Sequence, residues 1–120
     1  MKTQVFDSEL RVMEVLWQNG DTTAKELAQI LGEQIEWSKT TTYTVIKKCV
    51  DKGYIERQGT DFLCHALITK EKVQELKAQE LVDKMFDGQS DLLVASLIIN
   101  KKMSLEQLID LKMLLENFTM

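Results

Sequence analysis

The segment from Ser38 to Gly53 sets Thr42, Val45, Ile46, Cys49 and Val50 at helical spacing. It leaves Thr40, Thr44, Lys47, Lys48 and Asp51 on the opposite side, with Thr41 and Tyr43 at the flanks. Ser38 supplies a hydroxyl that can accept from the free N–H groups of a first turn, and Gly53 can take the left-handed conformation that stops a helix. The predicted element is a helix of about four turns that buries one face and offers short hydroxyls and ammonium groups on the other. Such a face suits a nucleic-acid duplex, because hydroxyls reach phosphate oxygens or base edges and lysines release counterions from phosphate. Set against that reading, consecutive threonines are poor helix formers and lysines on a helix are commonly a solvated face.

The flanking sequence adds to this helix. Asp7 and Ser8 can cap a first helix running to about Asn19, with Leu10, Met13, Leu16 and Trp17 on its buried side and Gly20 at its stop. Asp21-Thr22 is predicted as the turn. Thr23 to Glu26 is a capping box opening a second helix through Leu27, Ile30 and Leu31 to Gly32. After Gly53, Tyr54–Arg57, a turn at Gln58–Asp61 containing Gly59, and Phe62–Ala66 read as strand, turn, strand. Two helices, a third with an outward polar face, and a hairpin directly behind it form the order of a helix-turn-helix unit with a wing.

Beyond Ala66 the pattern is helical. Thr69 can cap a helix from Lys70 to about Phe86, charged on one side, with Leu76, Leu81 and Met85 toward the other and Gly88 at its end. Ser90 or Asp91 starts a helix in which Ser96 alone interrupts the apolar run from Leu92 to Ile99. Ser104 to Gln107 is a second capping box, opening a last helix. These helices hold more apolar surface than a small domain can bury, so pairing with a second copy is expected. Leu93, Val94, Leu97, Ile98, Leu105, Leu108, Leu111 and Leu115 are the candidate dimerisation residues. The expected fold is mainly α with a small β-hairpin: a winged helix-turn-helix domain over residues 1–68 and a helical dimerisation region over 69–120. The absence of proline from all 120 residues agrees with helices joined by short turns.

Charge is distributed unevenly. The chain carries a net −4, whereas Ser38–Arg57 holds five positive residues (Lys39, Lys47, Lys48, Lys52, Arg57) against two negative ones (Asp51, Glu56), a local +3 on a body of −7. That balance excludes a protein that coats nucleic acid indiscriminately and fits a site-selective, salt-sensitive binder. Cys49 and Cys64 form no paired metal motif, and adjacent Cys64 and His65 on a strand would face opposite ways. No metal site and no cofactor is expected. There is no phosphate-binding glycine loop and no nucleophile–base pattern, so no enzyme is expected. The sequence offers no secretory or membrane-spanning segment, and a reduced, cytoplasmic setting is expected.

The chain resembles the penicillinase-repressor family of bacterial transcription regulators, the BlaI/MecI type, with the copper-responsive CopY repressors as a sister branch. The resemblance rests on Ser8–Trp17, on Thr23–Leu27, on Trp37-Ser38 with Thr41, Thr44 and Lys48, on Lys52–Ile55, and on Leu93–Ala95 and Leu105–Leu115. It implies a winged-helix homodimer that binds an inverted-repeat DNA operator and represses nearby genes, released in the family through a membrane-bound sensor protease or, in the copper branch, by metal. Departures occur at Tyr43, where relatives usually have lysine or arginine, and at Thr60-Asp61, where a basic residue is common. Ser96-Leu97 stands at the position of the family's Asn-Phe cleavage site, which is therefore not carried over. The tail Glu116–Met120 lacks the copper branch's cysteines.

The candidate DNA-binding residues are Ser38, Thr40, Thr41, Tyr43, Thr44, Lys47, Lys48 and Arg57. Two other readings stay open beside the dimeric repressor. One is a protein-interaction adaptor on the same scaffold without DNA binding, suggested by the acidic body, Tyr43 and the acidic wing tip. The other is a repressor answering to a metal or small ligand. Trp17 is assigned to the core, and Trp37 is left open between core and surface.

Overall fold

The computed structural model describes residues 4–118, arranged as six helices and a three-stranded antiparallel sheet. The order is α1 (Asp7–Asn19), β1 (Thr22–Thr23), α2 (Ala24–Ile35), α3 (Lys39–Asp51), β2 (Ile55–Gln58), β3 (Leu63–Ala66), α4 (Lys70–Met85), α5 (Ser90–Ile99) and α6 (Leu105–Phe118). The chain forms two compact units that meet between Lys77 and Ala78. The last two residues of the predicted tail, 119 and 120, lie outside the described residues.

The first unit is a winged helix. Its core takes Val12, Met13, Val15 and Leu16 from α1, Leu27 and Leu31 from α2, Val45, Ile46 and Cys49 from α3, and Ile55 and Cys64 from the sheet. Helix α1 begins one residue ahead of the expected cap. Phe6 occupies the N-cap position, and its N–H donates to Glu9 Oε1 at 2.8 Å, so Glu9 rather than Asp7 or Ser8 satisfies the helix start. The buried side of α1 is also rotated from the predicted one. Val12 and Val15 join Met13 and Leu16 inside, while Leu10 and Trp17 are half-buried at the margin. Trp17 packs on the core and donates its indole N–H to the Ile68 carbonyl at 3.0 Å.

The capping box of α2 forms as predicted. Thr23 Oγ1 accepts from the Glu26 N–H at 3.1 Å and donates to Glu26 Oε1 at 2.8 Å; that donation, with a second from the Thr23 N–H at 3.2 Å, holds the Glu26 carboxyl below its ordinary range. Gly32 does not end this helix. The helix runs a further turn to Ile35, which packs against the core, and stops at Glu36 in the left-handed region (φ 59°). Thr22 and Thr23, predicted as turn and cap, also form a strand: Thr22 pairs with Cys64 and Thr23 with Leu63, giving the order β1-β3-β2. The partner lies far along the chain, so local pattern carried no trace of it.

Helix α4 departs from the expected stripe. Thr69 accepts from the Lys72 N–H at 3.1 Å and caps it as predicted, but Leu81 and Met85 are exposed, and the buried positions are Val73 in the first unit and Val82 in the second. At about 100° per residue those two valines stand roughly half a turn out of phase, so no single apolar stripe runs the helix. The second unit continues with α5 and with α6, whose capping box closes as predicted: Ser104 N–H donates to Gln107 Oε1 at 2.9 Å and Gln107 N–H to Ser104 Oγ at 3.1 Å. Neither α5 nor α6 buries a described residue. No helix among the described residues is long and apolar enough to cross a membrane.

One ion pair ties the first unit together. Glu9 is fully buried and its Oε1 accepts from Lys52 Nζ at 2.9 Å, while Lys52 also reaches the Gln4 carbonyl and lies 4.1 Å from the Phe6 ring centroid. Removing the ammonium would strand a carboxylate in the core. Lys52→Ala is therefore expected to lower unfolding free energy by about 3 kcal/mol, the lower end for a broken buried pair because Lys52 itself keeps some contact with water. Urea denaturation measures it, and a loss under about 1 kcal/mol would mean that water reaches Glu9.

Candidate nucleic-acid interface

Helix α3 forms because Ser38 closes its first turn and Gly53 its last. Ser38 Oγ accepts the Thr41 N–H at 3.1 Å, and Gly53 at φ 80° lets the Tyr54 N–H return to the Cys49 carbonyl at 2.9 Å. Thr42, Val45, Ile46 and Cys49 are buried and Val50 half-buried, while Thr40, Thr41, Tyr43, Thr44, Lys47 and Lys48 are exposed. The division of faces is the one the sequence predicts.

Hydrogen bonding sorts the outward residues further. The Ser38 hydroxyl is committed to the cap, donating to Thr41 Oγ1 at 2.9 Å while it accepts the Thr41 N–H. Thr44 donates its hydroxyl to the Thr40 carbonyl at 2.8 Å, which fixes the rotamer and leaves the oxygen open as an acceptor. Among the described residues Lys39, Lys47 and Lys48 enter no ion pair. Lys52 is different: counted with the basic face from sequence, it is spent on Glu9. The free cations of this region are thus the three other lysines and Arg57.

The wing supplies Arg57. In the hairpin Ile55 pairs with Ala66, Glu56 with His65, Arg57 with Cys64 and Gln58 with Leu63. Cross-strand partners share a sheet face, so Arg57 lies on the side of the fully buried Cys64, the core side, on which β3 packs against α1 and β2 against α3. Its guanidinium stands 4.2 Å from the centroid of the Phe62 ring. On the other face, His65 meets Asp21 at 2.8 Å and ties the wing to the α1–β1 connection. Cys64 and His65 thus diverge as expected, and no cluster of His, Cys, Asp and Glu among the described residues can hold a metal ion. Trp37 packs against the core and borders a shallow hollow of about 300 Å³ shared with Asp7, Ser8, Arg11 and Ile35.

The chain has counterparts among known proteins. It matches the family model described as penicillinase repressor over residues 6–117. The chain belongs to the penicillinase repressor family. It is 25% identical over 115 residues to the penicillinase repressor of Bacillus licheniformis, covering 94% of this chain and 90% of that protein. It is 21% identical over 114 residues to the methicillin resistance regulatory protein MecI of Mammaliicoccus sciuri, covering 93% of each. Among solved structures it is similar to the DNA-binding domain of the repressor BlaI, with 28% identity and a TM-score of 0.52 over 60% of this chain and 93% of that one. It is also similar to the Bacillus licheniformis BlaI monomeric form in complex with the blaP half-operator, with 26% identity and a TM-score of 0.51 over 60% of this chain and 90% of that one. The family is one of repressors, not enzymes.

Three features of this region escaped sequence reasoning: the burial of Glu9, its capture of Lys52, and the seating of Arg57 on Phe62. The first left a faint signal, since Glu9 stands one helical turn from Val5, Phe6, Val12 and Met13. The others depend on residues brought together only by folding.

The two thiols behave as core groups. Burial, followed by the nearby Glu9 carboxylate, pushes the Cys49 thiol up from 9.0 to about 12, and burial pushes the Cys64 thiol up to about 11. An acid whose folded-state pKa is raised keeps its proton in the fold after the unfolded chain has lost it. Stability is then unaffected below pH 9 and falls as pH rises from about 9 toward 11–12, because the unfolded state binds fewer protons in that window. Denaturant titrations at pH 8, 9 and 10 should show this decline, and replacing both cysteines with alanine should flatten it. A decline of the same size in the double variant would assign it to other groups.

Proposed function

We propose that this chain is a DNA-binding repressor that reads an inverted-repeat operator as a homodimer, with α3 and the wing of the first unit meeting the duplex and the second unit supplying the pairing surface. The observation that carries the reading is the outward face of α3: four threonine or tyrosine side chains and Lys47 and Lys48, none needed by the core, and the lysines unpaired among the described residues. Support comes from the likeness to a BlaI structure in complex with a half-operator. A half-operator is half of a repeated site, which fits a protein that binds twice.

Thr40, Tyr43, Thr44, Lys47 and Lys48 are the residues assigned to the groove and its phosphates, with Arg57 approaching from the wing. Ser38 and Thr41 act through the first turn, holding the end of α3 whose backbone N–H groups favour a phosphate. Lysines placed this way contribute mostly sequence-independent affinity, whereas the hydroxyls and Tyr43 are the groups of this face suited to discriminate at base edges. Tyr43, 43% exposed, presents an aromatic ring where the family resemblance implies a cation, so the operator of this chain is expected to differ at the bases it faces.

The pairing surface is assigned to α5 and α6. Val94, Ile98, Leu105 and Leu115 are between 44% and 74% exposed, Leu97 is 38% exposed, and Leu93, Leu108 and Leu111 are half-covered. An apolar surface of this kind on one chain is stable in water when another copy covers it. Joining two recognition units raises affinity for a double site far above that of either half, so repression would depend on the pairing.

Two measurements test this reading. On a duplex selected from a random pool by the wild-type chain, Lys48→Ala should weaken binding and reduce the slope of log affinity against log salt by about 0.9, the loss of one phosphate contact; an unchanged slope removes Lys48 from the interface. Ile98→Asp with Leu115→Asp should convert the dimer to a folded monomer by light scattering. The same change should cost at least about 100-fold in affinity for the two-half site while sparing a single half-site. Equal losses on both sites would mean that the substitutions act on recognition itself and would overturn the pairing role of α5 and α6.

A further inference from the structure

Phe62 is in a conformation that its side chain does not favour. Its φ is 51°, in the left-handed region that bulky residues rarely enter. Gly59, at φ 68°, takes the other positive value in the same loop, where the absence of a Cβ makes it free of cost. Strain of this kind persists where the surroundings fix it, and here two contacts do so. The Phe62 carbonyl accepts the Ala24 N–H at 3.0 Å, a first-turn donor of α2 that has no partner within its own helix. The ring packs against the core and carries the Arg57 guanidinium on its face.

Arg57 has no carboxylate partner among the described residues, although Glu56 and Asp61 are its neighbours in the wing. A guanidinium lying over a ring uses its face and keeps its edge donors available. Pairing with the buried Cys64 sets Arg57 on the core side of the sheet, and its strand β2 is the one that packs against α3. The wing therefore presents an oriented planar cation, with its hydrogen bonds unspent, beside the helix assigned to the groove. A backbone phosphate is the group that matches it, since the fork of N–H donors fits two phosphate oxygens.

The geometry points to Phe62 as a positioning residue for DNA binding: it holds Arg57 over its ring, ready to meet a backbone phosphate flanking the groove that α3 occupies. This rests on the DNA-binding reading above. Pre-ordering removes the rotamer entropy that a free arginine would lose on contact. The aromatic side chain thus acts on the duplex without touching it, and it does so in a wing that has Thr60 and Asp61 at its tip in place of a cation.

A double-variant cycle on the duplex selected by the wild-type chain tests this. Arg57→Ala should reduce the salt slope by about 0.9. Phe62→Leu should weaken binding about threefold with the slope retained, because the cation is still present but no longer held, and Phe62→Tyr, which keeps the ring face, should bind like wild type. In the Arg57→Ala background, Phe62→Leu should have no further effect. Arg57→Lys, which keeps the charge but not the planar stack, should match the loss seen for Phe62→Leu, and this arm stands even if the leucine variant does not fold. An equal loss from Phe62→Leu with and without Arg57 would make Phe62 merely structural and overturn the proposal. So would wild-type affinity in Arg57→Lys, an unchanged salt slope in Arg57→Ala, or a change in flanking base preference in Arg57→Ala, which would place Arg57 on base edges. Failure of the wild-type chain to select any duplex would instead remove the DNA-binding reading itself, and this proposal with it.

Discussion

The pair between Glu9 and Lys52 is the interaction on which the first unit depends. Glu9 sits with no exposure at the start of α1, and Lys52 is the residue at which α3 ends. Their contact at 2.9 Å joins the beginning of one helix to the end of the other. A carboxylate in the core needs its charge balanced. Glu9 Oε1 accepts from Lys52 and from the Phe6 N–H, while Oε2 is buried with no hydrogen-bond partner among the described residues. The contact through Oε1 thus adds a directional restraint on α3 against α1 to hydrophobic packing, which is non-directional. The Tyr54 hydroxyl, donating to the same Gln4 carbonyl that Lys52 reaches, extends this clasp to the residue just before β2.

From that constraint the outward chemistry follows. With the end of α3 held against α1 and its core face filled by Val45, Ile46 and Cys49, the opposite face has no structural duty. Its threonines are a burden on helix propensity, and the Ser38 cap offsets part of it locally. The wing is arranged on the same principle. Its inner strand is anchored through Cys64 and the β1 pairing, and its loop through the carbonyl of Phe62, which leaves Arg57 and the tip available to a partner. Rigid support beneath a polar surface is what lets such a surface recognise a shape.

The second unit obeys a different economy. Its helices are well started, by the closed Ser104–Gln107 box and by left-handed turns at Asp87 and Lys101, yet α5 and α6 bury none of their described residues, and Val82 of α4 is the buried apolar residue of the unit among those described. Local hydrogen bonds define each helix and apolar contact within one chain does not complete the packing. On the dimeric reading proposed above, a second copy completes that packing, and the apolar residues of this unit and the polar face of α3 belong to one functional scheme.

Much of this was legible in the sequence because it is local. Caps at Ser38, Thr23, Thr69 and Ser104, the alternation of faces along α3, and the strand-turn-strand behind it are set by groups within a few residues of one another, and short-range hydrogen bonding and helical period suffice to read them. What the sequence did not disclose is long-range. It gave no sign that Thr22 and Thr23 would form a third strand, that Gly32 would lie inside a helix which runs on to bury Ile35, or that α4 would bury Val73 and Val82 in place of Leu81 and Met85. Of the candidate site, the outward residues of α3 were evident, but Lys52 was counted among the free cations until folding gave it to Glu9, and Arg57 had no orientation until Phe62 supplied one. The sequence by itself determined which residues can face water and which cannot, since that depends on period and polarity. Only the tertiary structure decided which charges remain free, because a cation is spent or available according to the carboxylate or ring that the fold brings within a few ångströms of it.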